Sequence, residues 1–193
     1  MRSGFQKEHH QSVREVTRVL EVPPPAIEAR RLGRVLITFA LLIALFYGLT
    51  LTSFYRETPA PASLELSARL AAGILSFLGE GATAEGNAIR SPRYGLTIGE
   101  ACDALEPLGL YAAAVLASPV ALSLRLLGLL GGAVILLSVN QLRIVSLYYV
   151  GIYYPRAFDM LHTEVWQALI IVLGVAGWII WARWALRVGS LRT

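Results

Sequence analysis

Apolar residues fall into four long blocks, the last three close together and the first set apart from them by residues 55–107. Val35 to Phe54, Leu126 to Val150 and Val165 to Ala182 are each apolar over a length close to the roughly 20 residues a helix needs to cross a hydrocarbon core about 30 Å thick. A fourth block, Leu108 to Leu124, is shorter and contains Pro119, so it is predicted to span with a kink or an early end at the proline. Arg125 separates it from the next block and predicts a tight turn, because a charge at the bilayer centre costs about 2.5–3.5 kcal/mol.

Between the first and second blocks the period changes. Leu66, Leu70, Ile74 and Leu78 recur every fourth residue, with Glu65 and Arg69 elsewhere on the wheel, which predicts an amphipathic helix over 64–78 lying on the outer leaflet or against the bundle. Gly79, Gly81 and Gly86 then loosen the chain. Residues 87–90 and 94–98, separated by Ser91-Pro92-Arg93, read as two strands of a hairpin. Residues 1–34 are polar and basic, interrupted by Pro23-Pro24-Pro25; Val13 to Leu20 within them reads as a mobile tail or a short surface helix. The fold expected is an all-α polytopic membrane protein with about four transmembrane helices, an outer-face amphipathic helix and a short hairpin. Its parts are a basic cytoplasmic tail (1–34), a membrane-embedded domain (35–185) and a C-terminal cytoplasmic tail (186–193).

Composition agrees with this pattern. Of 193 residues, 55% are hydrophobic and 16% charged, and the mean hydropathy is +0.58, too apolar for an ordinary soluble domain. With four spans, one side collects 11 of the 17 basic residues, including Arg30, Arg31, Arg34, Arg125, Arg183 and Arg187, so both termini are expected in the cytoplasm. The net charge of +4 follows from these flanking residues, and no nucleic-acid partner is expected. Ala60-Pro61-Ala62 resembles a signal-peptide cleavage site, but the preceding apolar run and its leader are both longer than that pattern allows.

Three uncommon reactive groups stand beside the apolar blocks: Cys102, the only cysteine, Arg143 and His162. A thiol near its ordinary pKa is a poor nucleophile at neutral pH unless a cation favours the thiolate. Arg143 lies about 26 Å along a helix begun at Leu126, with Asn140 and Ser146 on the same face, so that polar stripe should face the bundle interior. Arginine cannot act as a base, which leaves stabilisation of an anion. Histidine is the natural proton carrier near neutrality, and His9 and His10 lie in the tail without reactive context. Each group also has a plainer reading: Cys102 as a small buried hydrophobe, Arg143 as an interfacial anchor, His162 as a solvated side chain. No metal-ligand spacing occurs, and no cofactor is expected.

Ala101-Cys102-Asp103, Asn140-Gln141-Leu142-Arg143-Ile144 and His162 ahead of the last apolar block together resemble the exosortase/archaeosortase family, most of all its exosortase H subgroup. The likeness covers about residues 35–185. It departs at Ala104, where related sequences usually carry glycine. The resemblance implies a membrane-embedded cysteine protease or transpeptidase of the bacterial inner membrane, its active site at the periplasmic face. Its substrates would be membrane-anchored proteins ending in a motif, a helix and a basic cluster. Cys102 would attack the scissile carbonyl and form a thioester, His162 would carry the proton, Arg143 would stabilise the oxyanion and Asn140 would orient Arg143. The acceptor that releases the product is not implied. Two other readings remain: an aspartic membrane peptidase using Asp103 and Asp159, and a non-catalytic subunit of an envelope export or assembly system.

Overall fold

The computed structural model describes residues 25–99, 102 and 104–190. The expected tail segments before residue 25 and Asp103 therefore lie outside the described residues. Contacts group the chain into residues 1–37 and residues 38–193. Of the first unit, only the leading part of helix α1 (Pro25–Thr50) is described.

The first apolar block ends earlier than its composition predicts. Helix α1 stops at Thr50, where the hydroxyls of Thr50 and Thr52 donate to the carbonyls of Tyr47 and Leu49. Thr52 also caps a short helix α2 (Ser53–Glu57), accepting from the Tyr55 amide at 3.3 Å. Helix α3 (Pro59–Phe77) follows, with proline in its first turn where no amide partner is lost.

The amphipathic segment is thus a helix over Pro59–Phe77, longer than the predicted 64–78. Its leucine stripe faces outward, with Leu66, Leu70, Ile74 and Leu78 all exposed. The buried face is Ala60, Leu64, Ser67, Ala68, Ala71, Ala72 and Leu75, whose small side chains bring the helix close to its neighbours. That face packs on an antiparallel sheet in the order β1 (Thr83–Glu85), β2 (Ala88–Arg90), β3 (Gly95–Thr97). The predicted hairpin is present as β2 and β3; β1, paired with β2 through Ala84 and Ile89, is an added strand. Ile89, Ile98 and Leu75 are almost wholly buried, and each contributes about 1.5–3 kcal/mol by leaving water.

Helix α4 (Leu105–Ala117) is only 13 residues long, against the predicted block 108–124. Ser118 is extended, as a residue before proline must be, and its hydroxyl donates to the Ala114 carbonyl at 2.8 Å. The chain therefore turns at Ser118-Pro119-Val120-Ala121, not at Arg125. Arg125 lies in the first turn of helix α5 (Leu122–Tyr153), where its Nε donates to the Val120 carbonyl at 3.0 Å. After Pro155–Ala157 and a turn at Phe158–Met160, a π-helical segment (Leu161–Val165) leads into helix α6 (Trp166–Ser190).

Three helical stretches are long and apolar enough to cross a membrane: Ala29–Thr50, Leu122–Tyr153 and Pro155–Gly189; Leu105–Ala117 is a shorter apolar helix. The architecture is an α-helical polytopic membrane fold with a small sheet at one end.

Helices α4, α5 and α6 pack on one another around Tyr111, Val115, Leu124, Leu136, Trp181 and Ala185. Near its C-terminal end α5 joins a second core with α3 and the sheet, through Ile144 and Tyr148. Tyr148 is completely buried, its hydroxyl 2.6 Å from Ser91 Oγ and donating to Glu80 Oε2 at 3.2 Å. Arg93 closes the same network, donating to Glu80 at 3.0 Å and to the Tyr153 hydroxyl at 2.9 Å. The tie to Tyr153, and then the Glu80 charge, push the Arg93 guanidinium further up from the ordinary arginine range, so it serves as a fixed cation.

Candidate active site

The buried stripe of α5 determines which polar groups face inward. Leu124, Gly128, Gly132, Leu136, Asn140, Ile144 and Tyr148 recur every fourth residue, and Arg143 lies beside them one position early. Asn140 and Arg143 are 1% and 3% exposed, so both have left water and need partners inside the protein.

Those partners are backbone carbonyls of the other two candidate residues. Asn140 Nδ2 donates to the Cys102 carbonyl at 2.8 Å, and Arg143 Nη2 donates to the His162 carbonyl at 3.0 Å. Ser146, on the same stripe, uses its hydroxyl locally, donating to the Arg143 carbonyl at 2.8 Å. Helix α5 thus holds the two segments that bear the thiol and the imidazole.

Cys102 sits on a single tight turn between β3 and α4, its amide donating to the Gly99 carbonyl at 2.8 Å. It is buried in the core formed by α3, the sheet and the end of α5. His162 belongs to the π-helical segment, a widened turn that sets side chains off the ordinary helical register. Phe158 packs against the imidazole with ring centroids 5.8 Å apart. Cys102 Sγ lies 2.9 Å from His162 Nε2. At that distance a single proton can pass between sulfur and nitrogen, and the resulting thiolate is the nucleophilic form.

The structure brings Cys102, His162, Arg143 and Asn140 together. Asp159, one half of the alternative carboxylate pair, is exposed on the turn before His162; Asp103, the other half, lies outside the described residues. Among the described residues no cluster of three His, Cys, Asp or Glu side chains is arranged to hold a metal. Asn140 Oδ1 is a buried acceptor without a partner among the described residues.

A family model described as transmembrane exosortase matches residues 30–173. The chain belongs to the transmembrane exosortase family. Comparison with curated proteins and with solved structures gives no match. In this exosortase the matched stretch includes Cys102, Asn140, Arg143 and His162. Family membership carries with it a membrane protein of the protein-sorting, transpeptidase type.

Sequence reasoning did not find the carbonyl anchors, since every residue has a carbonyl. It also missed the π-helical turn and the packing of Phe158. Asn140 was legible as a polar residue in an apolar run, but its amide goes to Cys102, whereas the motif had suggested a role in orienting Arg143.

Proposed function

We propose that this exosortase is a cysteine peptidase or transpeptidase that cleaves C-terminal sorting signals of membrane-anchored proteins. The observation that carries the reading is the 2.9 Å contact between the buried Cys102 Sγ and the half-buried His162 Nε2. His162 accepts the thiol proton as sulfur bonds to the scissile carbonyl carbon, and negative charge moves onto the carbonyl oxygen. Arg143, a permanent cation, stabilises that charge. The C–N bond then breaks, the amine leaves with the proton from His162, and a thioester remains on Cys102. Water or an amine or hydroxyl acceptor attacks the thioester and regenerates the thiol.

Asn140 holds the Cys102 backbone in place through its amide. With four spans and both termini in the cytoplasm, as the basic residues suggest, this site would lie at the periplasmic face of the inner membrane. A substrate tethered by its own helix would present its motif there, and confinement to the membrane supplies much of the required proximity.

The test is processing of a co-expressed reporter that ends in a motif, a helix and a basic cluster. Cys102→Ala and His162→Ala should each lower processing by about a hundredfold or more, and Arg143→Ala by a similar factor. Arg143→Lys should not restore it, because an ammonium lacks the planar fork. Asp103→Asn should be tolerated. Normal processing by Cys102→Ala would rule out the thiol mechanism, and loss with Asp103→Asn alone would favour the aspartic reading.

A further inference from the structure

Where helix α1 ends, the chain encloses a cavity of about 460 Å³, within the range of small-ligand sites. The last turn of α1, helix α2, the start of α3 and the first turn of α4 form its walls. Phe46, Leu51 and Ala60 make the lining apolar on one part, and Tyr47, Thr50, Arg56 and Glu106 make it polar on the other. Neither Cys102 nor His162 lines it.

Two contacts hold the frame. Phe46 lies directly on Gly109 of α4, where a Cβ would stand 2.6 Å from the ring. The Tyr47 hydroxyl donates to Glu106 Oε1 at 2.6 Å, which fixes the carboxylate and leaves Oε2 to accept from a ligand. The cation of the cavity is unspent. Arg56 forms no ion pair among the described residues, with Glu106 or with any other carboxylate, so its planar donor fork is available. A purely anionic ligand would meet the Glu106 charge, and a purely cationic one the Arg56 charge. A ligand carrying an ammonium and a phosphate satisfies both.

The surroundings select the form in which such a zwitterion arrives. The cavity lies just past Thr50, the end of a membrane-length apolar stretch, where the headgroups of a bilayer sit. Leu51 and Phe54 beside it are 71% and 70% exposed, a placement that is costly in water and favourable among acyl chains. Tyr47 and Tyr55 add the amphipathic rings that gather at that depth. We propose that the cavity binds the headgroup of a zwitterionic phospholipid with a primary ammonium. Its phosphate pairs with Arg56, its ammonium donates to Glu106 Oε2, and its acyl chains run over Leu51 and Phe54. Bound there, the lipid braces the break between α1 and α2 against α4. The proposal does not depend on the peptidase reading.

The test is native mass spectrometry of the purified full chain, equilibrated in detergent micelles with equal amounts of phosphatidylethanolamine, phosphatidylcholine and phosphatidylglycerol of the same acyl chains. Phosphatidylethanolamine should be retained about tenfold over either of the others, because choline has no N–H for Glu106 and glycerol brings no cation. Arg56→Gln and Glu106→Gln should each lower its retention about tenfold. Arg69→Gln, at an exposed position of α3 outside the cavity, should leave it unchanged. Thermal midpoints without lipid show whether each variant is folded; Arg56 is exposed, so Arg56→Gln keeps the fold and decides the matter if Glu106→Gln does not. Soluble phosphoethanolamine should compete about tenfold less well than the lipid, and inorganic phosphate less still.

Equal retention of the three lipids, a preference for phosphatidylglycerol, or indifference to Arg56→Gln would overturn the proposal. Displacement of the lipid by inorganic phosphate alone would also overturn it, by reducing the cavity to a simple anion site. Displacement by an equal concentration of soluble phosphoethanolamine would do so by making the ligand a soluble zwitterion in place of a lipid.

Discussion

Ala104 has φ 62° and ψ −3°, the left-handed conformation, two residues after the thiol and at the entrance to α4. A Cβ in this conformation costs about 1–2 kcal/mol, part of which returns through the smaller unfolded-state freedom of alanine. Ala104→Gly should therefore stabilise the protein by up to about 1 kcal/mol. It would be read as a higher melting midpoint in detergent, with processing retained. Ala104→Val should be destabilising by more than this, because a β-branched side chain is worse still in the left-handed region. A lower midpoint for Ala104→Gly would show that the left-handed turn is not under strain. The unusual placement of Cys102, Arg143 and His162 was legible from the sequence, because reactive or charged groups beside apolar blocks are costly to keep. The 2.9 Å meeting of sulfur and imidazole was not, since it depends on two carbonyl contacts from α5 and on a π-helical turn.

At the scale of elements, hydrophobic period identified α3, but which face turns inward is decided by size. The alanine face packs on the sheet, and the leucine face, which carries the stronger pattern, is left exposed. The same rule of close approach governs the packing of α4 on α5. Gly132 allows the Tyr111 ring to lie directly on the α5 backbone, from which Tyr111 reaches the Gly128 carbonyl. Gly132→Val would force that ring away and should cost about 1–3 kcal/mol through overpacking. If the clash is the cause, Tyr111→Leu should recover part of the loss when combined with Gly132→Val, while being destabilising alone. Thermal midpoints of the two single variants and the double variant decide this. Additive losses would mean that α4 and α5 do not depend on this contact. Helix ends were the least legible feature. Thr50, Thr52 and Ser118 stop helices through local hydroxyl contacts that an apolar run does not reveal.

For the whole molecule, the number of crossings turns on helix α4. Thirteen residues cover only about 20 Å, less than a hydrocarbon core of about 30 Å. The length that matters is set by α5, however. The Cys102 carbonyl is held at the level of Asn140, eighteen residues and about 27 Å from Leu122, where the next helix begins. The segment from Cys102 through α4 and the Ser118-Pro119-Val120-Ala121 turn therefore covers nearly the full core, the extended turn supplying what the short helix lacks. On this ground we propose four crossings, with the sheet and the Ser118–Ser123 region on opposite sides. In a Cys102→Ser background, Arg90→Cys should react with a membrane-impermeant maleimide on intact spheroplasts, whereas Ser123→Cys should react only after permeabilisation. Both positions are exposed in the structure, so burial within the protein does not account for protection. Equal labelling of both without permeabilisation would reduce α4 to a helix that enters and leaves on one side. It would also put the two termini on opposite sides of the membrane, and with that remove the basic-residue argument for a periplasmic site.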